Sequence, residues 1–323
     1  MFEKVNAGHP DKMADRLAGA VVDLVYERAG GLTKANPRVA CEVMAGHGRV
    51  DVQIETSLGR LDLRADDLDP LIHRLFGERV EGNVLIAPQD PHLSDNQTRG
   101  LRCGDNGIFK GCPPTEEQRV LTAIAASIYE RWPYDGKYIL ADAGQNPDFD
   151  ALMTIPARTG RFKTRQKHLT ICQSHAGNAD IYKILADFER RYTSDTEIKA
   201  TVRINPLGPW TGGIDVDCGC TNRKLGSDMG DGVTGGGLMG KDLSKADVSV
   251  NIVCFLKAVA SGQVVTAICS IGDESVTFVY ADGRTETERF ADIVEQARLY
   301  ILTDCGGSFE RFAEWGLLRP GRK

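Results

Sequence analysis

Apolar residues recur at helical spacing along much of the chain. From Pro10 to Arg28, Met13, Leu17, Val21, Leu24 and Val25 form one stripe. Asp15, Arg16, Asp23 and Glu27 lie outside it, and Gly30-Gly31 ends the pattern, which predicts an amphipathic helix. Helices are likewise predicted over Asp66–Phe76, Thr115–Trp132, Ala179–Tyr192, Lys245–Ser261 and Thr285–Leu302. Val50, Val52 and Ile54 alternate with Asp51, Gln53 and Glu55, the period of a half-buried strand. Across Gly46-His47-Gly48 it faces a second strand at Arg38–Met44, so the two read as a hairpin. Further strands are predicted at Asn83–Ala87, Lys137–Ala141, Leu152–Ala157, His168–Ser174 and Lys199–Asn205. Val264–Ser270 and Ser275–Tyr280 make another hairpin around Gly272-Asp273, and Pro88–Pro114 reads as loop.

Helices and paired strands thus alternate three times, near residues 10–80, 115–192 and 245–302. This predicts an α+β protein of three similar units, spanning residues 1–88, 101–208 and 209–323. Hairpins call for mixed or antiparallel sheets packed with helices, not a doubly wound parallel sheet.

Charge narrows the function. The net charge is −6 with no basic tail, which argues against a nucleic-acid or membrane-surface binder. No apolar run approaches the ~18 residues of a membrane span. The opening MFEKVNAGHPDK has no apolar signal core, so the cytoplasm is the expected location. The nine cysteines include no C-x-x-C pair, so reduced, mostly buried thiols are expected rather than a zinc site.

Glycine is over-represented, at 35 of 323 residues against a usual ~7%, and is densest between Gly208 and Gly240. That run ends in Gly235-Gly-Gly-Leu-Met-Gly240-Lys241-Asp242, one residue away from G-x-x-x-x-G-K-[ST]. Asp242 replaces the magnesium-binding hydroxyl, and the preceding Ser227–Thr234 is polar where a P-loop needs a buried strand. A P-loop NTPase or kinase is therefore an alternative only. Glycines still let backbone amides approach an anion, and Lys241 and Lys245 flank the start of a helix. Arg223 and Lys224 are adjacent, Trp210 lies among glycines, and Gly8-His9-Pro10-Asp11-Lys12 opens the first helix. Each feature alone fits a capped turn or a solvated loop. Together they suit a polyphosphate with Mg²⁺, for which carboxylates such as Asp11 and Asp247 are hard oxygen ligands.

These residues give the chain a resemblance to the S-adenosylmethionine synthetase (methionine adenosyltransferase) family, as a divergent, short member. GHPDK at 8–12 matches that family's N-terminal motif, and Val39-Ala-Cys-Glu42 its V-A-C-E strand. Glu55 falls where the family has the Glu of G-E-I-T-T, and Gln89-Asp-Pro91 is similar to Q-S-P. Gly104-Asp105-Asn-Gly107 resembles G-A-G-D-Q-G, and Asp135-Gly-Lys137 resembles D-G/A-K. Asp217–Lys224 resembles D-C-G-L-T-G-R-K, and Gly235–Asp247 resembles G-G-G-A-F-S-G-K-D-P-S-K-V-D with one residue missing. Pro209-Trp210 stands where the family has Arg-Phe, and two residues are missing between Lys224 and Gly235.

The resemblance implies a fold of three interwoven units with pseudo-threefold symmetry. It implies synthesis of S-adenosylmethionine from ATP and L-methionine, with triphosphate cleaved to pyrophosphate and phosphate. A catalytically inactive nucleotide-binding relative is a further alternative. By position, His9, Lys137, Arg223 and Lys241 would be catalytic. The ATP site would take His9, Asp135, Lys137, Trp210, Asp217, Arg223, Lys224, Lys241 and Lys245. Methionine would meet Glu55, Gln89, Asp105, Asp217 and Lys245. Asp11 and Asp247 would bind Mg²⁺ and Glu42 would bind K⁺. Residues His92–Cys103 would form a loop over the site. The assembly would be a homodimer with active sites at the subunit interface, or a tetramer built from it.

Overall fold

The computed structural model describes residues 1–59, 62–95, 100–142, 151–155, 166–191 and 198–321. β1 (Phe2–Val5) leads into α1 (Pro10–Arg28). His9 caps α1 in an extended conformation and Pro10 opens it, where no amide donor is needed. Gly30 and Gly31, both at positive φ, end it. Leu17, Val21 and Val25 of the expected stripe are buried. Asp15 departs from the expectation: it is fully buried, because Lys12 reaches it at 3.0 Å.

β2 (Val39–Gly46) and β3 (Arg49–Thr56) form the expected hairpin. The helix expected over 66–76 splits into a 3-10 turn at Ala65–Leu68 and α2 (Asp69–Phe76), since Pro70 favours a fresh N-terminal turn. β4 (Glu81–Pro88) then returns parallel to β3. The loop expected over 88–114 contains α3 (Pro91–Asp95) and β5 (Gly107–Gly111). The glycines of β5 hide it from any alternation pattern. Gly111 is required there because a Cβ would lie 2.1 Å from the Cys254 carbonyl oxygen.

α4 (Glu116–Arg131) opens on a capping box between Thr115 and Gln118. β6 (Gly136–Asp142), β7 (Ala151–Ile155), β8 (Gln166–Gln173), α5 (Asn178–Arg191) and β9 (Ile198–Ile204) follow where the sequence expects them. Residues 156–157 of the expected strand and Tyr192 of the expected helix lie outside the described residues. β10 (Gly219–Cys220) and α6 (Leu225–Met229) precede α7 (Ala246–Ser261), β11 (Val265–Cys269) and β12 (Ser275–Tyr280). The helix expected over 285–302 begins instead as β13 (Thr285–Arg289), whose alternating Thr and Glu pair with β12; α8 (Phe290–Asp304) starts only at Phe290. α9 (Phe309–Trp315) packs on α1.

The strands form three sheets, ordered β1-β6-β8-β9-β7, β10-β2-β3-β4 and β13-β12-β11-β5. Each borrows one strand from a distant part of the sequence. β1 pairs with β6, β5 with β11 and β10 with β2, all antiparallel. The exchange runs in a cycle and interweaves three α+β units. The parallel pairs β3–β4 and β8–β9 are each joined by a crossover containing a helix, α2 in one and α5 in the other. α1, α4 and α7 cover β2, β6 and β5 respectively, and the core lies beneath them. Among the described residues, no helix is long and apolar enough to cross a membrane.

Candidate active site

The first group of site residues gathers at the N-terminus of α1. Gly8 lets the chain pass Tyr134, since a Cβ there would lie 2.6 Å from its carbonyl carbon. Gly219 brings β10 onto the helix end, where a Cβ would lie 2.0 Å from the Pro10 oxygen. Asp11 Oδ1 accepts the Cys220 amide at 2.8 Å. Lys224 Nζ lies 3.0 Å from Asp11 Oδ2, and Arg223 Nη1 lies 3.6 Å from Oδ1. Burial pushes His9 down to about 4, against the pull of the Asp11 carboxylate, so the ring is neutral near pH 7. Its Nδ1 accepts the Asp11 amide at 3.2 Å, which leaves the single ring proton on Nε2. Lys137 and Asp217 are close enough to act on that ring by charge. Lys137 also lies 3.1 Å from Glu3 across the β1–β6 pair.

Beside this group a cleft of about 330 Å³ is lined by Gly8, Tyr134, Asp135, His175, Gly212 and Ile214 among others. Asp135 Oδ2 accepts the Gly213 amide at 3.0 Å. Burial first, then Asp217 and Asp11, raise its carboxyl to about 6. Gly212 sits at positive φ, and a Cβ there would lie 2.8 Å from Trp210 Cζ3 and 3.0 Å from Asp135 Oδ2. The indole is therefore brought next to the carboxylate, partly exposed, with Nε1 donating to Asn205 at 3.3 Å. Tyr134 and His175, which sequence reading misses, add a ring pair 4.5 Å apart.

The second group lies on the glycine-rich segment. Lys241 Nζ lies 2.7 Å from Asp247 Oδ2, and Lys245 Nζ lies 3.4 Å from Asp105 Oδ1. Burial raises the Asp247 carboxyl while Lys241 opposes the shift. Gly236 closes on that carboxylate, since a Cβ would lie 2.2 Å from its Oδ1. Lys241 is not the solvated loop lysine that its glycine surroundings suggest. It makes an antiparallel bridge with Ala40, and its side chain is mostly buried. Asp242 explains the failed P-loop match. Its carboxylate is buried and accepts the Val39 amide at 2.9 Å and the Ser244 amide at 2.8 Å, so it ties backbone rather than facing a ligand. A 3-10 turn at Gly230–Gly232, not a strand, precedes the run, and α7 begins only at Ala246, so the P-loop alternative is not supported.

The remaining expected residues lie on the β2–β3–β4 sheet. Glu42 is on its exposed face and accepts the Thr221 hydroxyl. Glu55 and Gln89 share one end of the β3–β4 pair, where the Gln89 amide donates to the Thr56 carbonyl at 3.0 Å. Among the described residues, no hydrogen bond or ion pair joins them to the His9 or Lys241 groups. Of the expected loop 92–103, residues 96–99 lie outside the described residues, and His92 sits in α3. Among the described residues, no three His, Cys, Asp or Glu side chains form a ready-made metal cluster, and all nine cysteines are free thiols.

Strand-exchanged α+β sheets thus bring Arg223, Lys224 and Asp11 together at the N-terminus of α1, beside a cleft lined by Tyr134, Asp135 and His175. The chain is 28% identical to the S-adenosylmethionine synthase of Brachyspira hyodysenteriae over 321 residues, covering 88% of this chain and 78% of that one. It is 29% identical to the S-adenosylmethionine synthase of Ruegeria pomeroyi, covering 76% and 69%. In fold it is similar to an unusual S-adenosylmethionine synthetase from Campylobacter jejuni, with a TM-score of 0.63 at 20% identity, covering 98% and 93%. No protein-family model matches the chain. The resemblance carried by the ordered motifs therefore holds in curated relatives over most of the chain and in fold.

Proposed function

We propose that the protein makes S-adenosylmethionine from ATP and L-methionine. The methionine sulfur attacks C5′ of ATP, a C–S bond forms, the C5′–O bond breaks and the triphosphate leaves whole. Water then splits it into pyrophosphate and phosphate. The observation that carries this reading is the placing of Arg223 and Lys224 on Asp11, beside a neutral His9 at the head of α1. A thioether has no proton to lose, so the attack needs no general base. Charge builds on the departing oxygen, so the residues that matter are cations and donors set in place beforehand.

On this reading the His9 Nε2–H meets the bridging oxygen, and Lys137, Arg223, Lys224, Lys241 and Lys245 hold the phosphates. Trp210 stacks on adenine, while Asp135 and Asp217 face the nucleoside, Asp217 near methionine as well. Glu55, Gln89 and Asp105 take the methionine ammonium group, with Lys245 at its carboxylate. Oxygens of Gln89 and Asp105 that lie buried without a partner among the described residues support this assignment. Mg²⁺ commonly takes one or two carboxylates and completes its shell with phosphate oxygens and water, so Asp11 and Asp247 suit it. When bound, it would neutralise charge on the phosphates. Glu42 with the Thr221 hydroxyl suits K⁺. A homodimer with sites between subunits is part of the reading. Met44 and Leu85 stand exposed on the same sheet face as Glu42, which supports it.

The test is purified protein with ATP, methionine, Mg²⁺ and K⁺, with its mass measured by sedimentation. S-Adenosylmethionine, pyrophosphate and phosphate are expected in equal amounts from a dimer or tetramer. No S-adenosylmethionine under conditions where the dimer forms sinks the proposal. Phosphate release that ignores methionine would return the reading to an NTPase.

A further inference from the structure

We infer that Asn222 is a positioning residue that fixes the two groups of phosphate-binding cations relative to one another; the inference rests on the proposed function. Asn222 immediately precedes Arg223 and Lys224. Its backbone amide donates to Asp15 Oδ1 at 2.8 Å. Asp15 is fully buried and held by Lys12 Nζ at 3.0 Å, which also lies 2.7 Å from Asp228 Oδ2. Asp15 and Lys12, in the first turns of α1, thus hold the 222–228 segment at both ends, at the Asn222 amide and at the Asp228 carboxylate.

The Asn222 side chain reaches the other way. Its Oδ1 accepts the Met239 amide at 2.8 Å, and its Nδ2 donates to the Met239 carbonyl at 3.3 Å. Met239 lies two residues before Lys241, whose ammonium sits on Asp247. One primary amide therefore satisfies both polar groups of a residue in the glycine-rich segment and ties it to the Arg223–Lys224 turn. Two further observations make the clamp specific. Asn222 has φ +63°, the left-handed region that Asn tolerates better than most residues. At Gly237 a Cβ would lie 2.4 Å from Asn222 Nδ2, so this glycine is required by the Asn222 side chain.

A leaving triphosphate spans both cation groups, so their separation belongs to the geometry that catalysis depends on. The test compares full-length wild type, Asn222→Gly, Gly237→Ala and the double variant. It reads kcat, the KM for each substrate, the tripolyphosphate Kd by calorimetry, and thermal unfolding. Glycine takes φ +63° without strain, so Asn222→Gly stays folded. Its kcat falls by about 10- to 100-fold, while the KM for methionine holds. Its tripolyphosphate Kd weakens by about 10-fold. Gly237→Ala is impaired by the clash, and the double variant recovers to the level of Asn222→Gly. Wild-type kcat and Kd in Asn222→Gly, or no recovery in the double variant, overturn the inference. A uniform loss of kcat, KM and unfolding temperature also overturns it, because the residue is then structural. A wild type that neither makes S-adenosylmethionine nor binds tripolyphosphate overturns the functional reading and this inference together. An active wild type with an unaffected Asn222→Gly overturns this inference alone.

Discussion

The Gly213 amide donates to Asp135 Oδ2 at 3.0 Å, while Oδ1 of the same carboxylate has no partner among the described residues. A half-satisfied buried carboxylate holds its proton longer, and this one is raised to about 6 by burial and then by Asp217 and Asp11. It is neutral below that value and charged above it. If Asp135 faces the nucleoside as a carboxylate, as proposed, kcat/KM for ATP should climb as pH rises through about 6 and then level off. Asp135→Asn should remove that limb from the pH profile. A limb that survives the substitution belongs to another group. His9 is not the expected source, because burial pushes that ring down to about 4.

Lys241 carries two separable consequences. On the proposed reading it is a phosphate ligand, so its replacement by Met should lower kcat by on the order of 10²–10³. As the partner of the mostly buried Asp247, it should also cost stability, roughly 1–3 kcal/mol in denaturant unfolding. A variant with full turnover would remove Lys241 from the site. One with unchanged stability would mean that the ion pair contributes nothing to folding.

Asp247 links the site to Mg²⁺ on the proposed reading. Chelating the metal should abolish turnover and its return should restore it. Asp247→Asn should raise the Mg²⁺ concentration for half-maximal rate by about 10-fold or more. An unchanged Mg²⁺ requirement would leave Asp11 as the only candidate among the two carboxylates.

Lys4 serves the fold: its ammonium is turned onto backbone carbonyls. It is fully buried, and Nζ donates to the carbonyls of Ser227, Trp315 and Leu318 at 2.7, 3.0 and 3.1 Å. Lys4→Met leaves those acceptors unpaired, with an expected loss of roughly 1–3 kcal/mol by chemical denaturation. The kcat of the folded fraction should not change. A drop in kcat without a drop in stability would place Lys4 in the site after all.

What could be read from the sequence depended on how local its cause was. α1, α4 and α7 show their helical stripes within a few turns, and the β2–β3 hairpin shows its alternation beside its own turn. β5 and β10 were not legible, because glycine-rich strands of five and two residues owe their existence to partners more than 100 positions away. β13 reads as helix because Thr-Glu-Thr-Glu-Arg carries no apolar alternation to mark a strand. The site divides in the same way. His9, Asp11, Arg223 and Lys224 could be named from motifs, and the structure brings them into contact. The burial of Asp15 could not be foreseen, since the Lys12 that neutralises it also serves Asp228, 213 positions from Asp15. Asn222 stands where the matched motif has glycine. Its left-handed backbone shows why glycine suits the position, and only the fold reveals what the added amide reaches.

The cyclic loan of strands has a consequence for synthesis of the chain. The sheet built on β2, β3 and β4 waits for β10 at Gly219–Cys220, and β5 waits for β11 at Val265–Cys269. A ribosome must therefore extend the nascent chain well past its midpoint before either of these sheets can close. Among the described residues, no third of the polypeptide holds a complete sheet of its own. Such long-range pairing is slow to form, so the newborn protein spends its early life with open edges that need shielding until the last strands emerge.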